Sequence, residues 1–298
     1  MRSELTILAP AKINIFLEIL DKRGDGYHNL DSVMQTVSLC DVLRVRRGQY
    51  AGQNSISLST NGNALDVAPE KNLVYLAAKA FFDHAGIDKY NVSFTLTKRI
   101  PLQAGLGGGS SDAAATLIAL DELYETGMTV GKLCEIAIGI GSDVPFCVRR
   151  GTCRVQGKGE FVSDVTPFPD CVFLIALPQG EKISTAQAYS LADEINMGDR
   201  VSPDGILSAM NECDIGLICE NVYNRFEATV TSDSAVTKIK EMMMGNGAFA
   251  SIMSGSGPSV VGFFADVPTA KCAADAVAGL ADVYVCSPMR RDANYYRD

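Results

Sequence analysis

The alternation of apolar and polar residues predicts two strands in the first hundred residues. Between residues 5 and 20 one face carries Ile13, Ile15, Leu17 and Ile19, and the other carries Lys12, Asn14, Phe16 and Glu18. Residues 92–100 alternate in the same way, with Val92, Phe94 and Leu96 apolar. The Ala- and Leu-rich segment that follows Ser111 predicts a helix.

Cap and stop signals predict the remaining elements. Asn72 is a suitable N-cap and Gly86 a suitable stop for a helix over 72–86. The pattern also predicts helices over 132–140, 184–196, 235–245 and 268–281, and strands over 172–177, 259–265 and 283–287. A turn-rich stretch at 155–169 predicts a domain boundary, which gives domains 1–163 and 164–298. The mixture of strands and helices predicts an α+β fold.

Composition describes an ordinary globular protein. Of the 298 residues, 47% are hydrophobic and 20% charged, and the formal net charge of -9 argues against a nucleic-acid partner. No apolar run is long enough to span a bilayer, and the first residues lack the apolar core of a signal peptide. Nine cysteines without a C-x-x-C pair, and only two histidines, favour a reducing cytoplasm over disulfides or a zinc site. None of these features indicates an oligomeric state.

A glycine loop at 101–111, with the sequence PLQAGLGGGSS, joins the second predicted strand to the helix. Such a loop offers backbone N–H groups and the positive end of a helix dipole to a phosphate, although a plain turn has the same composition. A Walker A loop would end in Lys-Ser or Lys-Thr, and a Rossmann loop would need an acidic residue at the end of a second strand, and both are absent. A second glycine loop at 254–259 strengthens the prediction of a phosphate-binding cleft between the two halves.

Phosphoryl transfer also needs charge neutralisation and an acceptor for the hydroxyl proton. Lys12 lies on the first strand, and Asp143 lies between a glycine break and Pro145. Either residue alone is typical of a solvated surface charge. The pair is informative only if the fold brings both to the glycine loop.

Four segments together resemble the GHMP kinases, the galacto-, homoserine, mevalonate and phosphomevalonate kinases. They are APAKINIFLEI, PLQAGLGGGSSDAAATL, GSDVPF and SGSGPSVVGFF, in that order over residues 9–264. The two extra glycines of the first loop and the segment RGDGYHNLDSVMQTVSLCD resemble the branch whose acceptor is a cytidine-diphosphate-linked sugar alcohol. The resemblance implies a two-domain α+β fold, with an N-terminal domain like ribosomal protein S5 domain 2 and a ferredoxin-like C-terminal domain.

The resemblance also implies an activity. It implies transfer of the γ-phosphate of ATP, with Mg²⁺, to a hydroxyl of cytidine-diphosphate-linked methylerythritol, giving a 2-phosphate in the non-mevalonate route to isoprenoid precursors. Two other hypotheses stay open, namely a GHMP kinase for another small molecule and an inactive relative that senses a ligand. Retention of both Lys12 and Asp143 argues against the inactive relative.

Matched motif by motif, the resemblance assigns residues to these roles. Lys12 and Asp143 match the catalytic pair. Ser110 or Ser111, with Ser111 preferred, would offer Mg²⁺ a hydroxyl. The expected contacts to the acceptor are Asn14, Tyr27, His28, Thr185 and Tyr189. Tyr27 and His28 match the turn that holds the cytosine, and Tyr189 is the candidate for a second aromatic residue against it. The expected ATP loop is Pro101, Leu102, Gln103, Ala104, Gly105, Leu106, Gly107, Gly108, Gly109, Ser110 and Ser111.

Overall fold

A computed structural model of the chain describes residues 2–62, 68–180, 184–195 and 199–291. Its strands are β1 (Glu4–Lys22), β2 (His28–Arg47), β3 (Ser55–Gly62), β4 (Asn91–Lys98), β5 (Thr152–Gly157), β6 (Phe161–Asp164), β7 (Val172–Pro178), β8 (Tyr223–Asn224), β9 (Ala250–Met253), β10 (Val260–Phe264) and β11 (Ala281–Cys286). Its α-helices are α1 (Leu73–Ala85), α2 (Gly108–Tyr124), α3 (Val130–Ile138), α4 (Val144–Arg149), α5 (Thr185–Glu194), α6 (Asp204–Asn211), α7 (Ile215–Glu220), α8 (Ala235–Gly245) and α9 (Val267–Val277). Within those described ranges, no helix has the length and apolar character needed to cross a membrane.

The first sheet has the order β3-β4-β2-β1-β8, and β5 and β6 extend it beside β2. The long strand β2 pairs with β1 along one edge, and with β5 and β4 in succession along the other. Helices α1 and α2 bury their apolar residues, such as Phe81 and Leu117, against this sheet. The sheet and α2 therefore hold both ends of the first glycine loop in a rigid frame.

The second sheet has the order β11-β7-β10-β9, and all its neighbouring strands are antiparallel. With α8 and α9 packed on it, this is the ferredoxin-like arrangement that the resemblance implied. The turn-rich stretch at 155–169 contains the end of β5, the hairpin turn and all of β6, which belong to the first sheet. A boundary between residues 163 and 164 stays a prediction.

Most predicted elements are present, with shifted ends. The Asn72 side chain accepts a hydrogen bond from the Val74 N–H and caps α1, and Gly86 ends that helix in the left-handed conformation, as predicted. The helix predicted over 268–281 ends at Val277, because residues 281–286 pair with β7. The end predicted at Asn196 lies outside the described residues.

The alternation predicted along β1 holds to Ile15 and is wrong from Phe16 onward. The pairing with β2 shifts register between Asn14 and Phe16, which marks a β-bulge. Phe16 consequently packs in the same core cluster as Ile13 and Ile15, whereas Leu17 packs in another. Lys12 and Asn14 precede the bulge and share a face, as predicted.

Candidate active site

The first glycine loop forms the wall of a cavity. Residues 101–110 line this cavity, which we call the loop cavity and which has a volume of about 420 Å³. Gly107 adopts a φ of +66° and is the N-cap of α2. The N–H groups of the next three residues are among those that an α-helix leaves without intrahelical partners. The loop thus presents backbone donors and a helix N-terminus to the cavity.

The second glycine loop packs against the first. The Ser254 hydroxyl donates to the carbonyl oxygen of Gly105 over 3.2 Å and lies 3.3 Å from the backbone nitrogen of Asn14, which donates to it. A Cβ on Gly105, whose φ is +73°, would lie 2.3 Å from the Ser254 carbonyl oxygen. Only glycine permits this close approach of the two loops.

Lys12 is buried where β1 meets the first loop. Its backbone N–H donates to the Leu106 carbonyl, 3.0 Å away. Its ammonium donates to the Asn14 Oδ1 at 2.6 Å and lies 3.6 Å from the Asp143 Oδ2. The fold therefore brings Lys12 and Asp143 together at the glycine loop, which was the condition set by the sequence.

Asp143 precedes α4 and keeps its carboxylate available. Among the described residues, no N–H group of the first turn of α4 donates to this side chain. The side chain is 32% exposed and lines both the loop cavity and a neighbouring cavity. A carboxylate in this position can accept a proton from a group bound between the two cavities.

The neighbouring cavity, which we call the turn cavity, has a volume of about 580 Å³. It contains Tyr27 and His28 from the turn between β1 and β2, and Thr185 and Tyr189 from α5. Tyr27 is 54% exposed, and the Lys158 ammonium lies 5.0 Å from the centroid of its ring. The Thr185 hydroxyl lies 3.2 Å from that of Ser256 in the second glycine loop. Four of the five expected acceptor contacts thus line one cavity.

Tyr189 does not simply face Tyr27 across this cavity. Its ring stacks on the His28 imidazole, with centroids 4.8 Å apart and planes 13° apart, and it meets Phe226 edge to face. Burial raises the pKa of the Tyr189 phenol. His28 therefore covers one face of Tyr189, the residue expected to provide the second aromatic contact to the cytosine. Tyr27 is the exposed aromatic residue of the cavity.

Two of the expected site residues, Asn14 and Ser111, form hydrogen bonds to other groups of the protein. Asn14 lines the loop cavity and not the turn cavity, and its buried amide accepts from Lys12 and donates to the Ser32 hydroxyl at 2.9 Å. Ser111 is 1% exposed, and its hydroxyl donates to the Pro10 carbonyl at 2.7 Å. Ser111 therefore does not present its hydroxyl to the cavity, whereas Ser110 lines both cavities. The preference for Ser111 as the metal ligand is therefore corrected, because Ser110 is the one of the two serines that lies at the cavity.

A buried charge cluster, which the sequence analysis does not predict, lies beneath the loop. The Lys98 ammonium donates to Asp41 and, at 2.7 Å, to the Asp112 Oδ2. Asp41 also accepts from two backbone N–H groups, whereas the Oδ1 of Asp112 has no hydrogen-bond partner among the described residues. Burial raises the pKa of Asp112 to about 8, despite the opposing effect of Lys98. The period-two alternation of β4, which places Lys98 on the buried face with Leu96, was the available signal.

Comparisons with known proteins agree over most of the chain. Residues 72–151 match the N-terminal domain of the GHMP kinases, and residues 206–280 match the C-terminal domain of the same family. The chain is 38% identical over 279 residues to the 4-diphosphocytidyl-2-C-methyl-D-erythritol kinase of Clostridium novyi (strain NT), covering 93% of this chain and 97% of that protein. It is 40% identical over 262 residues to the protein of the same name from Bacillus thuringiensis (strain Al Hakam), covering 88% and 87%.

Solved structures show the same fold. A crystal structure of 4-(cytidine 5'-diphospho)-2C-methyl-D-erythritol kinase superposes with a TM-score of 0.78 at 28% identity, covering 95% of this chain and 99% of that one. The mevalonate kinase of Methanococcus jannaschii superposes with a TM-score of 0.73 at 16% identity, covering 97% and 99%, and this likeness concerns the fold alone.

Proposed function

Because the chain belongs to the GHMP kinases, and within them to the 4-diphosphocytidyl-2-C-methyl-D-erythritol kinases, we propose that it phosphorylates the 2-hydroxyl of 4-diphosphocytidyl-2-C-methyl-D-erythritol. The observation that carries this proposal is the meeting of the two cavities at Asp143. The loop cavity offers phosphate-binding backbone on one side, and the turn cavity offers an exposed aromatic ring on the other.

In the proposed reaction ATP occupies the loop cavity and the acceptor occupies the turn cavity. Asp143 accepts the proton of the acceptor hydroxyl, the oxygen attacks the γ-phosphorus, and ADP leaves. Lys12, whose ammonium lies 3.6 Å from the Asp143 carboxylate, positions that carboxylate and orients the hydroxyl. Asn14 fixes the Lys12 ammonium through its 2.6 Å hydrogen bond, so we assign it a positioning role.

The residues around the loop cavity fit Mg²⁺. The described lining contains neither cysteine nor histidine, and its hydroxyl and carboxylate oxygens are the donors that this cation prefers. The Ser110 hydroxyl would contribute one ligand. Among the described residues, no three His, Cys, Asp or Glu side chains form a metal-binding group, so phosphate oxygens and water would supply the other ligands. When bound, the ion neutralises charge on the phosphates.

The test is a coupled ADP-release assay with 4-diphosphocytidyl-2-C-methyl-D-erythritol, run beside galactose, homoserine and mevalonate. We expect turnover of the cytidine-linked acceptor only. We also expect Asp143→Asn to lower kcat by about 10²–10⁴-fold while ATP affinity stays nearly unchanged, as loss of a general base does. Equal or better turnover of another acceptor would overturn the proposed substrate. Retention of more than about a tenth of kcat in Asp143→Asn would overturn the assignment of the base.

A further inference from the structure

One carboxylate holds both ends of the turn that carries Tyr27. Lys22, at the end of β1, and His28, at the start of β2, face each other across the two strands. Asp193 on α5 accepts hydrogen bonds from both, with its Oδ1 2.7 Å from the His28 Nε2 and its Oδ2 bound to the Lys22 ammonium. A single side chain from the second half of the chain therefore bridges the two residues that flank this turn.

Helix α5 makes a second contact with the same imidazole. Tyr189 lies four residues before Asp193, on the same side of the helix. The Tyr189 ring covers one face of His28, and Asp193 binds its edge, which leaves the His28 side chain only 6% exposed. On the adjoining side of α5, Ala188 and Ala192 are buried in the core of the second half. The helix is thus anchored independently of the turn that it holds.

The charge of Asp193 fixes how His28 is held. The hydrogen bonds from Lys22 and His28 lower the pKa of Asp193, so the carboxylate is ionised at neutral pH and acts only as an acceptor. The Nε2 of His28 must therefore carry a proton. This sets the orientation of the ring that lines the turn cavity.

We propose that Asp193 is a positioning residue for the acceptor. By holding Lys22 and His28 it sets the position of the turn that presents Tyr27. Asp193 lies in the lining of the turn cavity but outside the described lining of the loop cavity, so its effect falls on the acceptor and not on ATP. The inference rests on the proposed function for the identity of that acceptor.

The experiment compares Asp193→Ala, Asp193→Asn and Asp193→Glu with the wild type. The matched control is Asp164→Ala, because Asp164 also bridges two cations, Arg149 and Arg291, but lies outside both cavities. Calorimetric titration with cytidine diphosphate and steady-state kinetics with both substrates give the readouts. Loss of two partly exposed charged hydrogen bonds predicts a weakening of about three- to tenfold in acceptor Kd and KM. We expect kcat and the KM for ATP to stay within about twofold.

Partial recovery of acceptor affinity by a glutamate at this position distinguishes a positioning role from a general loss of stability. We expect Asp193→Glu to restore part of the acceptor affinity, and Asp164→Ala to leave it unchanged. An unchanged Kd in both Asp193→Ala and Asp193→Asn, or an equal loss of ATP affinity, would overturn the inference alone. A wild-type protein that binds no cytidine diphosphate and does not use the cytidine-linked acceptor would overturn the proposed function, and this inference with it.

Discussion

Replacing Gly107 by alanine tests whether the glycine loop positions Lys12. Gly107 has a φ of +66°, and a Cβ there would lie 2.8 Å from the Lys12 Cγ, so the lysine side chain must move. The left-handed conformation alone costs an L-residue about 1–2 kcal/mol. Two residues later, Gly109 lies within α2, and a Cβ there would make an ordinary contact at 3.4 Å with Leu73. Gly109→Ala is therefore the matched control.

The kinetic effect follows from the distance between Lys12 and Asp143. At an effective dielectric constant of about 20, moving the Lys12 ammonium about 1 Å away from its 3.6 Å separation weakens the attraction by about 1 kcal/mol. The partial exposure of Asp143 makes this an upper figure. We therefore expect Gly107→Ala to lower kcat by up to about fivefold at saturating substrates, since about 1.4 kcal/mol is one decade.

Two measurements check this reasoning. Urea unfolding should show Gly107→Ala destabilised by about 1–2 kcal/mol, and Gly109→Ala equally or more stable than wild type, because alanine is favoured over glycine inside helices. ADP release at saturating ATP and acceptor gives kcat for both variants. Equal kcat values in two folded variants would refute the claim that the loop positions Lys12.

Three further predictions concern other parts of the site. Lys12→Met should cost much less kcat in the Asp143→Asn background than in wild type, because residues that act as a unit are non-additive, whereas multiplicative losses would show independent roles. Tyr27→Ala should weaken cytidine diphosphate binding by about tenfold, as loss of one base–aromatic stack does, and Tyr27→Phe should be mild, whereas equal effects of the two would place the cytosine elsewhere. Because burial raises the pKa of Asp112 to about 8 in the folded state, from 3.8, the folded state binds more protons than the unfolded state across that interval, and stability should fall as pH rises from about 4 to 8. Urea midpoints without nucleotide should show Asp112→Asn reducing this slope by up to about 1.4 kcal/mol per pH unit, and an unchanged slope would contradict the assignment.

The sequence predicted the site best where function depends on local chain geometry. The glycine loop, the N-terminus of α2 and the shared face of Lys12 and Asn14 follow from short-range patterns, and the structure confirms them. The contact between Lys12 and Asp143 joins residues 131 positions apart. It was expected only through the resemblance, because neither residue alone differs from a surface charge.

Other features escaped prediction for identifiable physical reasons. The bulge after Asn14 inserts one residue into β1, and nothing in the alternation of that segment marks where the pairing with β2 slips. Ser110 and Ser111 are adjacent and chemically identical. Only the orientation of α2 on the sheet places Ser111 on the buried side of the helix, where it bonds to Pro10. In the sequence Asp193 resembles any exposed acidic residue of a helix, because its contact with His28 forms only when α5 packs beside the turn.

Two segments from the second half of the chain complete the first sheet. Strand β8 pairs with β1, and residues 287–289 bond to β2 through Ser38 and Thr36. During synthesis the first sheet therefore cannot complete its pairing until residues 287–289 have emerged. Contacts of such long sequence separation slow folding. We expect the first half, expressed without residues 223–289, to lack these pairings and to unfold at a lower urea concentration than the intact chain.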